Sequence, residues 1–442
     1  MRILAKDVAQ AAREQQTDGV SDGGGAAGEV ELKGWVHRIR DMGGVVFIVL
    51  RDRSGLVQLV LDKDPALTLE SVISVKGTPA LNEKAPGGAE IKVQALECIA
   101  RAAGDLPYQV NGDPGKTGLE ALLDNRGLSL RSPKIKAIFK VQATVIEAFS
   151  AYLRSQDFTE IKTSKLVGSS TEGGSELFEV AYFDRKVYLA QSPQFYKETM
   201  VASGMERVFE VAPAYRAEKH DTPRHLNEYV SLDVEMGFID SEKDLIELEK
   251  GLLTHIFEET ARKNSAELAL WNAAVPNADA VSQSPTVRYE EAVKIAGAES
   301  AKMGGGRIFD ITPEAERFLC SWSLREYGSD LLFVNEFPRR YRPFYTYPLD
   351  ASRTMSFDAL FRGLEITTGG RRQHDYQAFL DVLPKFGLKA ENFTNYLDLL
   401  KYGCPPHGGF AIGCERLTSR ILGIANVKEA SLFPRDRRRV EP

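Results

Sequence analysis

The residues best suited to chemistry lie in a polar turn between two runs of alternating apolar residues, at 208–238. Arg216 and Glu218 open this turn, and side chains two residues apart on a strand point to the same side. A guanidinium can bind two phosphate oxygens at once, while a carboxylate accepts a hydrogen bond from an amine or a base. An ordinary surface ion pair contains the same residues, so the pair alone does not identify a site. The alternation on both sides predicts an antiparallel hairpin whose loop binds a charged ligand.

A second group of polar residues lies nearer the C-terminus. Glu365 and Thr368 precede the glycine pair at 369–370, and a glycine-rich run at 408–413 leads to Arg416. Glycine lets the backbone approach a ligand closely. A carboxylate, a hydroxyl and a phosphate together form the oxygen ligand set that Mg²⁺ prefers. These residues predict a site for a phosphate-bearing ligand and Mg²⁺.

Taken together, the two groups resemble the motifs of class II aminoacyl-tRNA synthetases, in particular the aspartyl branch of the archaeal and eukaryotic type. RAE at 216–218, followed by TPRHLNE and SLDVEMGF, resembles motif 2, and GGFAIGCERL at 408–417 resembles motif 3. The helical and strand patterns at 135–167 resemble motif 1, although Ser164 stands where the family has proline. The resemblance covers nearly the whole chain from Val30 onward.

The resemblance implies that a carboxylate of L-aspartate attacks the α-phosphate of ATP and that the aspartyl group then passes to tRNA. Both reactants are anions, so charge neutralisation and positioning would supply most of the catalysis. Arg216 would hold the α-phosphate, Glu218 would accept from the adenine amino group, and Arg416 would complete the catalytic set. The implied ATP-binding residues are Arg216, Glu218, Arg224, His225, Leu226, Tyr229, Glu365, Gly413 and Arg416. The implied Mg²⁺ ligands are Glu365 and Thr368.

The amino-acid pocket implied by the resemblance contains two cations. Arg372 would bind the side-chain carboxylate, Lys197 would add a second positive charge, and Asp233 would orient both. An asparagine amide would leave a buried cation unpaired, at a cost on the order of 2 to 5 kcal/mol. The implied aspartate-binding residues are Glu172, in a loop at 171–178, with Gln194, Lys197, Arg216, Asp233, Thr368 and Arg372.

Three other functions fit parts of the pattern. An asparaginyl-tRNA synthetase is the closest alternative and is opposed mainly by Pro193 and Lys197. A paralogue that transfers activated aspartate to ammonia would lack an anticodon-binding domain. A catalytically silent RNA-binding paralogue would be expected to lose Arg216, Glu365 or Arg416, and all three are present.

Five short alternating stretches between 30 and 100 predict a small closed barrel of the OB-fold type, which commonly binds single-stranded nucleic acid. We therefore expect an α+β multidomain protein, in which a class II catalytic domain has an antiparallel sheet flanked by helices. The predicted divisions are an OB-fold anticodon-binding domain at 1–104 with a flexible insertion at 15–29, a hinge at 105–130, and a catalytic domain at 131–442 with an inserted helical element at about 290–349.

In the barrel, the resemblance implies that Phe47, Gln58 and Glu90 contact anticodon bases, although an apolar run more often places a residue like Phe47 in the core. Enzymes specific for tRNA(Asp) tend to carry Trp and Lys where this chain has His37 and Pro86. The resemblance therefore implies a non-discriminating form that also aspartylates tRNA(Asn). His37 could donate or accept according to its tautomer, and Pro86 offers no hydrogen-bonding side chain and no backbone donor.

Composition places further limits on the protein. The net charge of −6 argues against non-specific coating of nucleic acid, and it leaves room for a local basic face. The cysteines form no CxxC pair, so we expect reduced thiols rather than a zinc site or disulfides. No apolar run reaches membrane-spanning length and the N-terminus lacks a signal-peptide pattern, so we expect a cytoplasmic enzyme with no membrane partner. The apolar helical face within 138–166 predicts a homodimer.

Overall fold

A computed structural model describes residues 2–18, 28–168 and 176–441. The chain forms two compact units, Met1–Ile135 and Lys136–Pro442. The predicted divisions at 104 and 131 stay predictions, because the units separate the chain only at 135.

The N-terminal unit contains the predicted closed barrel, with strand order β1-β2-β3-β5-β4. Leu32, Ile48, Leu59 and Ile91 are fully buried inside it, and they alternate with more exposed neighbours. This alternation confirms the five-stranded OB-fold. The strands are β1 (Val30–Asp41), β2 (Val46–Arg51), β3 (Leu56–Leu61), β4 (Val72–Leu81) and β5 (Ala89–Ala100), and the helices are α1 (Val8–Asp18), α2 (Leu119–Asp124) and α3 (Arg126–Ser129).

Helix α1 corrects part of the predicted flexible insertion at 15–29. The helix continues to residue 18, so the first four residues of that stretch are helical. Residues 19–27 of the predicted insertion lie outside the described residues.

The C-terminal unit contains, among the described residues, an eight-stranded sheet in the order β12-β13-β14-β15-β16-β11-β10-β6 and a small sheet in the order β7-β9-β8. The large sheet is antiparallel except for the parallel pairs at its two edges, β12–β13 and β10–β6. Its strands are β6 (Thr159–Glu160), β10 (Arg207–Tyr215), β11 (Glu228–Gly237), β12 (Thr286–Arg288), β13 (Leu331–Asn335), β14 (Ser356–Phe361), β15 (Leu364–Arg371) and β16 (His407–Gly413). The small sheet consists of β7 (Leu166–Val167), β8 (Glu179–Tyr182) and β9 (Arg185–Leu189).

Helices cover this sheet, as the sequence predicts. Helix α6 begins at a capping box in which Ser241 and Asp244 satisfy each other's backbone donors. The stretch that carries the least sequence information contains α9 and α10. The helices are α4 (Pro133–Ser155), α5 (Gln194–Met200), α6 (Glu242–Lys263), α7 (Ser265–Leu270), α8 (Ala278–Ser282), α9 (Tyr289–Lys302), α10 (Pro313–Tyr327), α11 (Tyr376–Val382), α12 (Thr394–Lys401) and α13 (Cys414–Leu422).

The apolar face of α4, which the sequence offers as a dimer interface, packs inside this chain. Ile138, Val145, Phe149 and Leu153 are buried in the core that this chain itself forms with β10, β11 and α6. Surface that is already covered is not available to a second copy, so this face does not support a dimer, and a homodimer through 138–166 stays a prediction. Ser164 lies in the loop after β6, where its hydroxyl contacts the backbone of Leu166.

The four cysteines form no disulfide with one another in this structure. Across the described parts of the chain, no helix is long and apolar enough to cross a membrane.

Candidate active site

The β10–β11 hairpin ends one residue before the first predicted catalytic side chain. The strands pair as far as Tyr215 and Glu228, and the Arg216 N–H then donates to the Asn227 carbonyl (2.8 Å). Arg216 and Glu218 therefore lie in the loop and not on one face of a strand, which corrects the prediction. The Asn227 amide holds them there by donating to the carbonyls of Arg216 (2.6 Å) and Glu218 (3.1 Å).

This loop opens onto a cavity of about 490 Å³ that is walled by β11, β15, β16, α5 and the start of α13. Fourteen of the residues predicted to bind ATP, aspartate or Mg²⁺ line it. They are Gln194, Lys197, Arg216, Glu218, Arg224, His225, Leu226, Tyr229, Asp233, Glu365, Thr368, Arg372, Gly413 and Arg416. The remaining one, Glu172, lies outside the described residues. The structure brings the predicted residues together, and the role of each stays a prediction.

One end of the cavity places an aromatic ring beside cations and a carboxylate. The guanidinium carbon of Arg216 lies 5.7 Å from the Tyr229 ring centroid. Glu218 Oε1 lies 3.9 Å from the Arg216 guanidinium, and its Oε2 lies 3.6 Å from His225 Nε2. Burial lowers the pKa of His225, so this imidazole is mainly neutral at pH 7. A ring, a carboxylate and a guanidinium suit a nucleobase and the phosphate next to it.

A second end of the cavity carries side-chain oxygen atoms that could bind a metal ion. Glu365 lies 3.1 Å from Arg416 and accepts from the Thr368 hydroxyl (3.4 Å). Asp358 stands opposite Thr368 in the sheet and forms a 2.8 Å ion pair with Arg342. Burial raises the pKa of Asp358 to about 7. Burial also opposes ionisation of Glu365, but the nearby charges of Arg416 and Arg342 outweigh it and lower the pKa of Glu365.

These donors fit Mg²⁺. The ion commonly takes one or two carboxylates from the protein and its other ligands from phosphates and water. Within the described residues no group of three or more His, Cys, Asp or Glu side chains could hold a metal unaided. Glu365, with Thr368 beside it, would therefore hold Mg²⁺ together with a phosphate ligand.

Arg224, one of the residues predicted to bind ATP, is paired in this structure. It donates to both carboxylate oxygens of Glu316 (2.7 Å each), and Glu316 also accepts from the Glu365 N–H (2.9 Å). Glu316 comes from α10, in the stretch that the sequence leaves least informative, and was not predicted to take part.

The predicted amino-acid end contains two buried cations and two buried carboxylates. Lys197 Nζ lies 3.1 Å from Asp233 and 3.2 Å from Glu235, and Arg372 Nε donates to Glu235 (2.9 Å). The prediction that Asp233 orients both cations is therefore wrong, because Glu235 joins them. Asp233 holds Lys197 and accepts from the Ser231 hydroxyl (2.6 Å). Burial disfavours the Arg372 charge, but Glu235 more than compensates and raises the pKa of Arg372.

Sequence reasoning missed Glu235, although a signal for it was present. Asp233 and Glu235 are two apart on β11, so the alternation that placed one of them in the site also places the other there. Arg342 and Tyr345, which also line the cavity, gave no such signal because they follow no periodic pattern.

In the N-terminal unit, the three residues predicted to contact the anticodon share one outer face of the barrel. Phe47 is half-buried and alternates with the buried Val46 and Ile48, so it faces outward and is not part of the core. Gln58 lies in register with Glu90 on the neighbouring strand and donates to its carboxylate (2.9 Å). This arrangement offers an aromatic ring beside a polar pair, which suits base stacking and base-edge hydrogen bonds.

His37 cannot play the part predicted for it. It lies in a bulge of β1, is only 8% exposed, and its Nδ1 is 2.8 Å from an Arg51 N–H. An arginine only donates, so Nδ1 accepts and the proton must be on Nε2. Burial, together with the Arg51 charge, lowers the pKa of His37 to about 4. The prediction that His37 exchanges donor and acceptor roles is therefore wrong.

Pro86 begins a short turn, Pro86–Gly88, at the edge of the barrel. The turn is closed by a hydrogen bond from the Asn82 N–H to the Gly88 carbonyl (3.0 Å). The Asn82 side chain also donates to Glu90 (2.7 Å), so this turn helps to position one of the three predicted anticodon contacts.

Comparisons with known proteins bear on this site. A model of "tRNA synthetases class II (D, K and N)" matches residues 118–437, and one of the "OB-fold nucleic acid binding domain" matches residues 30–99. The chain is 47% identical over 414 residues to the aspartate–tRNA(Asp/Asn) ligase of Thermus thermophilus, which covers 94% of this chain and 97% of that protein. It is 39% identical over 425 residues to the aspartate–tRNA(Asp) ligase of Pyrococcus horikoshii, with 93% and 96% covered.

Solved structures show the same likeness over most of the chain. The asparaginyl-tRNA synthetase of Pyrococcus horikoshii complexed with asparaginyl-adenylate has a TM-score of 0.85 and 31% identity, with 94% of this chain and 96% of that chain covered. The aspartyl tRNA synthetase of Entamoeba histolytica has a TM-score of 0.81 and 29% identity, with 94% and 90% covered. Fold alone thus does not separate aspartate from asparagine, and the side chains of the pocket must do so.

Proposed function

This chain belongs to the class II tRNA synthetases of the D, K and N group, and we propose on that basis that it activates L-aspartate with ATP and transfers the aspartyl group to tRNA. The observation that carries the choice of aspartate is the pair of buried cations, Lys197 and Arg372, joined by Glu235 in one cavity with Arg216. Relatives that are 42–47% identical over most of the chain are named aspartate–tRNA(Asp/Asn) ligases, which supports the same choice.

The proposed first step joins an aspartate carboxylate oxygen to the α-phosphorus of ATP and releases pyrophosphate. Both reactants are negative, so the barrier falls when fixed cations meet the charge that develops on the phosphorus oxygens. Arg216, held by Asn227, would neutralise the α-phosphate, and Glu218 would orient the base. Mg²⁺ held at Glu365 would supply charge neutralisation for the phosphates.

The charges of the pocket support the proposed preference for aspartate over asparagine. A side-chain carboxylate between Lys197 and Arg372 would be attracted by both cations. A neutral amide would be attracted less strongly by either. Both cations already pair with Asp233 or Glu235, so an asparagine amide would leave neither cation unpaired, which corrects the expectation from the sequence. The amide would instead forgo the attraction of two buried positive charges for a carboxylate. An asparaginyl enzyme would have no use for the second cation, which makes that alternative the weaker one.

Pyrophosphate exchange into ATP tests this function directly. Pure protein should catalyse exchange with L-aspartate in the absence of tRNA, because the described residues proposed for ATP and aspartate line one cavity of the C-terminal unit. Exchange with L-asparagine serves as the control. Equal rates with the two amino acids would contradict the pocket assignment, and no exchange with either would contradict the function.

We further propose that the enzyme charges both tRNA(Asp) and tRNA(Asn). Relatives named for both tRNAs support this, and so does Pro86, which has neither a side-chain partner nor an N–H with which to select the third anticodon base. The base C presents an amino donor where U presents a carbonyl acceptor. A residue that can only donate or only accept a hydrogen bond would disfavour the wrong base by about 1 to 3 kcal/mol.

The corresponding measurement compares two transcripts. If no residue selects the third anticodon base, the kcat/KM for aspartylation of tRNA(Asn) should be within about tenfold of that for tRNA(Asp). This ratio is equivalent to about 1.4 kcal/mol or less. A tRNA of a third specificity provides the background rate. A thousandfold preference for tRNA(Asp) would show that another residue reads this base.

A homodimer and a cytoplasmic location are proposals that rest on the family alone. Light scattering should give a molar mass near twice 48.9 kDa if the dimer forms.

A further inference from the structure

Beneath the two cations of the amino-acid pocket lies a buried carboxylate that the proposed mechanism does not use. Glu198 follows Lys197 in α5 and is 0% exposed. Its Oε1 accepts from the Gln194 amide (2.6 Å), and its Oε2 accepts from the Tyr396 hydroxyl (2.5 Å). The same Oε2 lies 2.9 Å from Nε2 of His407, which is also 0% exposed.

The surroundings of His407 require a charged imidazole. Nδ1 lies 2.9 Å from the Pro405 carbonyl oxygen, which can only accept, so Nδ1 carries a proton. Nε2 faces the Glu198 carboxylate, which also accepts. Burial disfavours this charge, but contacts with Cys404 and Glu198 outweigh it and raise the pKa of His407 to about 10. Glu198 and His407 thus form a fully buried ion pair.

The pair connects helix α5, which supplies Lys197, with strand β16, whose carbonyls hold Arg372. Helix α5 carries Lys197 and also Gln194, which lines the cavity. Strand β16 begins at His407, whose carbonyl accepts from the Arg372 N–H (2.8 Å). The Gly409 carbonyl, two residues further along β16, accepts from the Arg372 guanidinium (3.0 Å). One cation is therefore fixed by α5 and the other by β16, and Glu198–His407 is a direct link between them.

We propose that Glu198 and His407 are positioning residues that set the spacing between Lys197 and Arg372, and thereby the affinity of the pocket for a side-chain carboxylate. The inference rests on the proposed function. Two fully buried charges are costly to desolvate and contribute little net stability, so their value lies in the geometry that they impose. A carboxylate must reach both cations at once, and a displacement of about 1 Å weakens such an arrangement strongly.

The test is Glu198→Gln, which keeps the shape of the side chain and removes its charge. The carboxamide leaves His407 without an anionic partner, so the imidazole should become neutral at pH 8. We expect the KM for aspartate in pyrophosphate exchange to rise by at least about tenfold, because the link is weakened. The KM for ATP and the kcat should each stay within about threefold, because neither residue touches the nucleotide end.

Two controls separate positioning from general stability. Tyr396→Phe removes a hydrogen bond to the same Glu198 oxygen but leaves the link from α5 to β16, so its KM for aspartate should stay within about twofold of the wild type. NMR of the six histidines, with the His407 signal assigned from His407→Gln, should show an imidazolium in the wild type and a neutral ring in Glu198→Gln. His407→Gln should itself raise the KM for aspartate selectively.

Several results would overturn the inference. One is an unchanged KM for aspartate in Glu198→Gln while His407 has become neutral, and another is an equal rise in Tyr396→Phe. Loss of folding in both Glu198→Gln and His407→Gln would assign the pair to stability instead. Absence of aspartate-dependent exchange in the wild type would reject the proposed function, which distinguishes that failure from failure of the positioning role.

Discussion

Replacing Arg216 by alanine should lower aspartate-dependent pyrophosphate exchange by at least about a hundredfold, the scale expected when a charge that stabilises the transition state is removed. Arg216 sits at the mouth of the hairpin loop, where the Asn227 amide fixes its carbonyl and the Tyr229 ring lies under its guanidinium. Its charge is therefore in place before the substrates bind. The loss should appear in kcat more than in KM, because the developing charge on the phosphorus oxygens exceeds that of the ground state.

Two further variants sharpen this test. Arg216→Lys keeps the charge but loses the planar fork, so it should recover only part of the activity. Arg13→Ala removes an exposed arginine of α1 in the other unit and should leave exchange within about twofold. An Arg216→Ala enzyme that retained a tenth of the wild-type rate would mean that other cations neutralise the α-phosphate.

The strands of the barrel and the helices of the catalytic unit could be predicted from the sequence because burial repeats along them with a fixed period. In β2, for example, Val46, Ile48 and Leu50 are buried while Phe47 and Val49 are not. The same period explains the β10–β11 hairpin, whose loop carries Arg216 and Glu218. The side-chain pattern does not show where the strand ends, so Arg216 and Glu218 were predicted to lie on it. The backbone pairing of β10 with β11 ends at Tyr215.

The predictions that were wrong concerned contacts between side chains on different elements of the fold. The tautomer of His37 depends on Arg51, fourteen residues away, and the partner of Arg372 depends on Glu235, on another strand. The apolar face of α4 was visible in the sequence, but what covers it was not, and it packs inside its own chain. Contacts of this kind depend on sheet order, which no local pattern specifies.

Sheet order also explains how the pocket keeps its charges balanced. Strand β11 lies between β10 and β16, so Asp233 and Glu235 project between α5 and the end of β15. Each carboxylate thereby meets a cation from a different element, and the two cations are balanced before aspartate arrives. Removing one cation would leave a net negative pocket, which an anionic side chain must then enter.

Replacing Lys197 by methionine should therefore have the largest effect on amino-acid choice. Methionine keeps the length and flexibility of the side chain, so packing changes little, but Asp233 loses its cation and Glu235 keeps only Arg372. Losing one member of a buried charge pair costs about 2 to 5 kcal/mol, so kcat/KM for aspartate should fall by at least about thirtyfold. Asparagine, which is neutral, should lose much less, and the ratio of aspartate to asparagine exchange should shrink accordingly.

Lys165→Met provides the matched control. Lys165 also pairs with a buried glutamate, since its Nζ lies 3.0 Å from Glu210, but it does not line the cavity. Both variants lose a lysine–carboxylate pair and should show comparable losses of thermal stability, whereas only Lys197→Met should lose aspartate activation. If Lys165→Met reduced exchange equally, the effect of Lys197 would be one of folding. If Lys197→Met kept its preference for aspartate, Arg372 alone would suffice to select the carboxylate, and the second cation would serve another purpose.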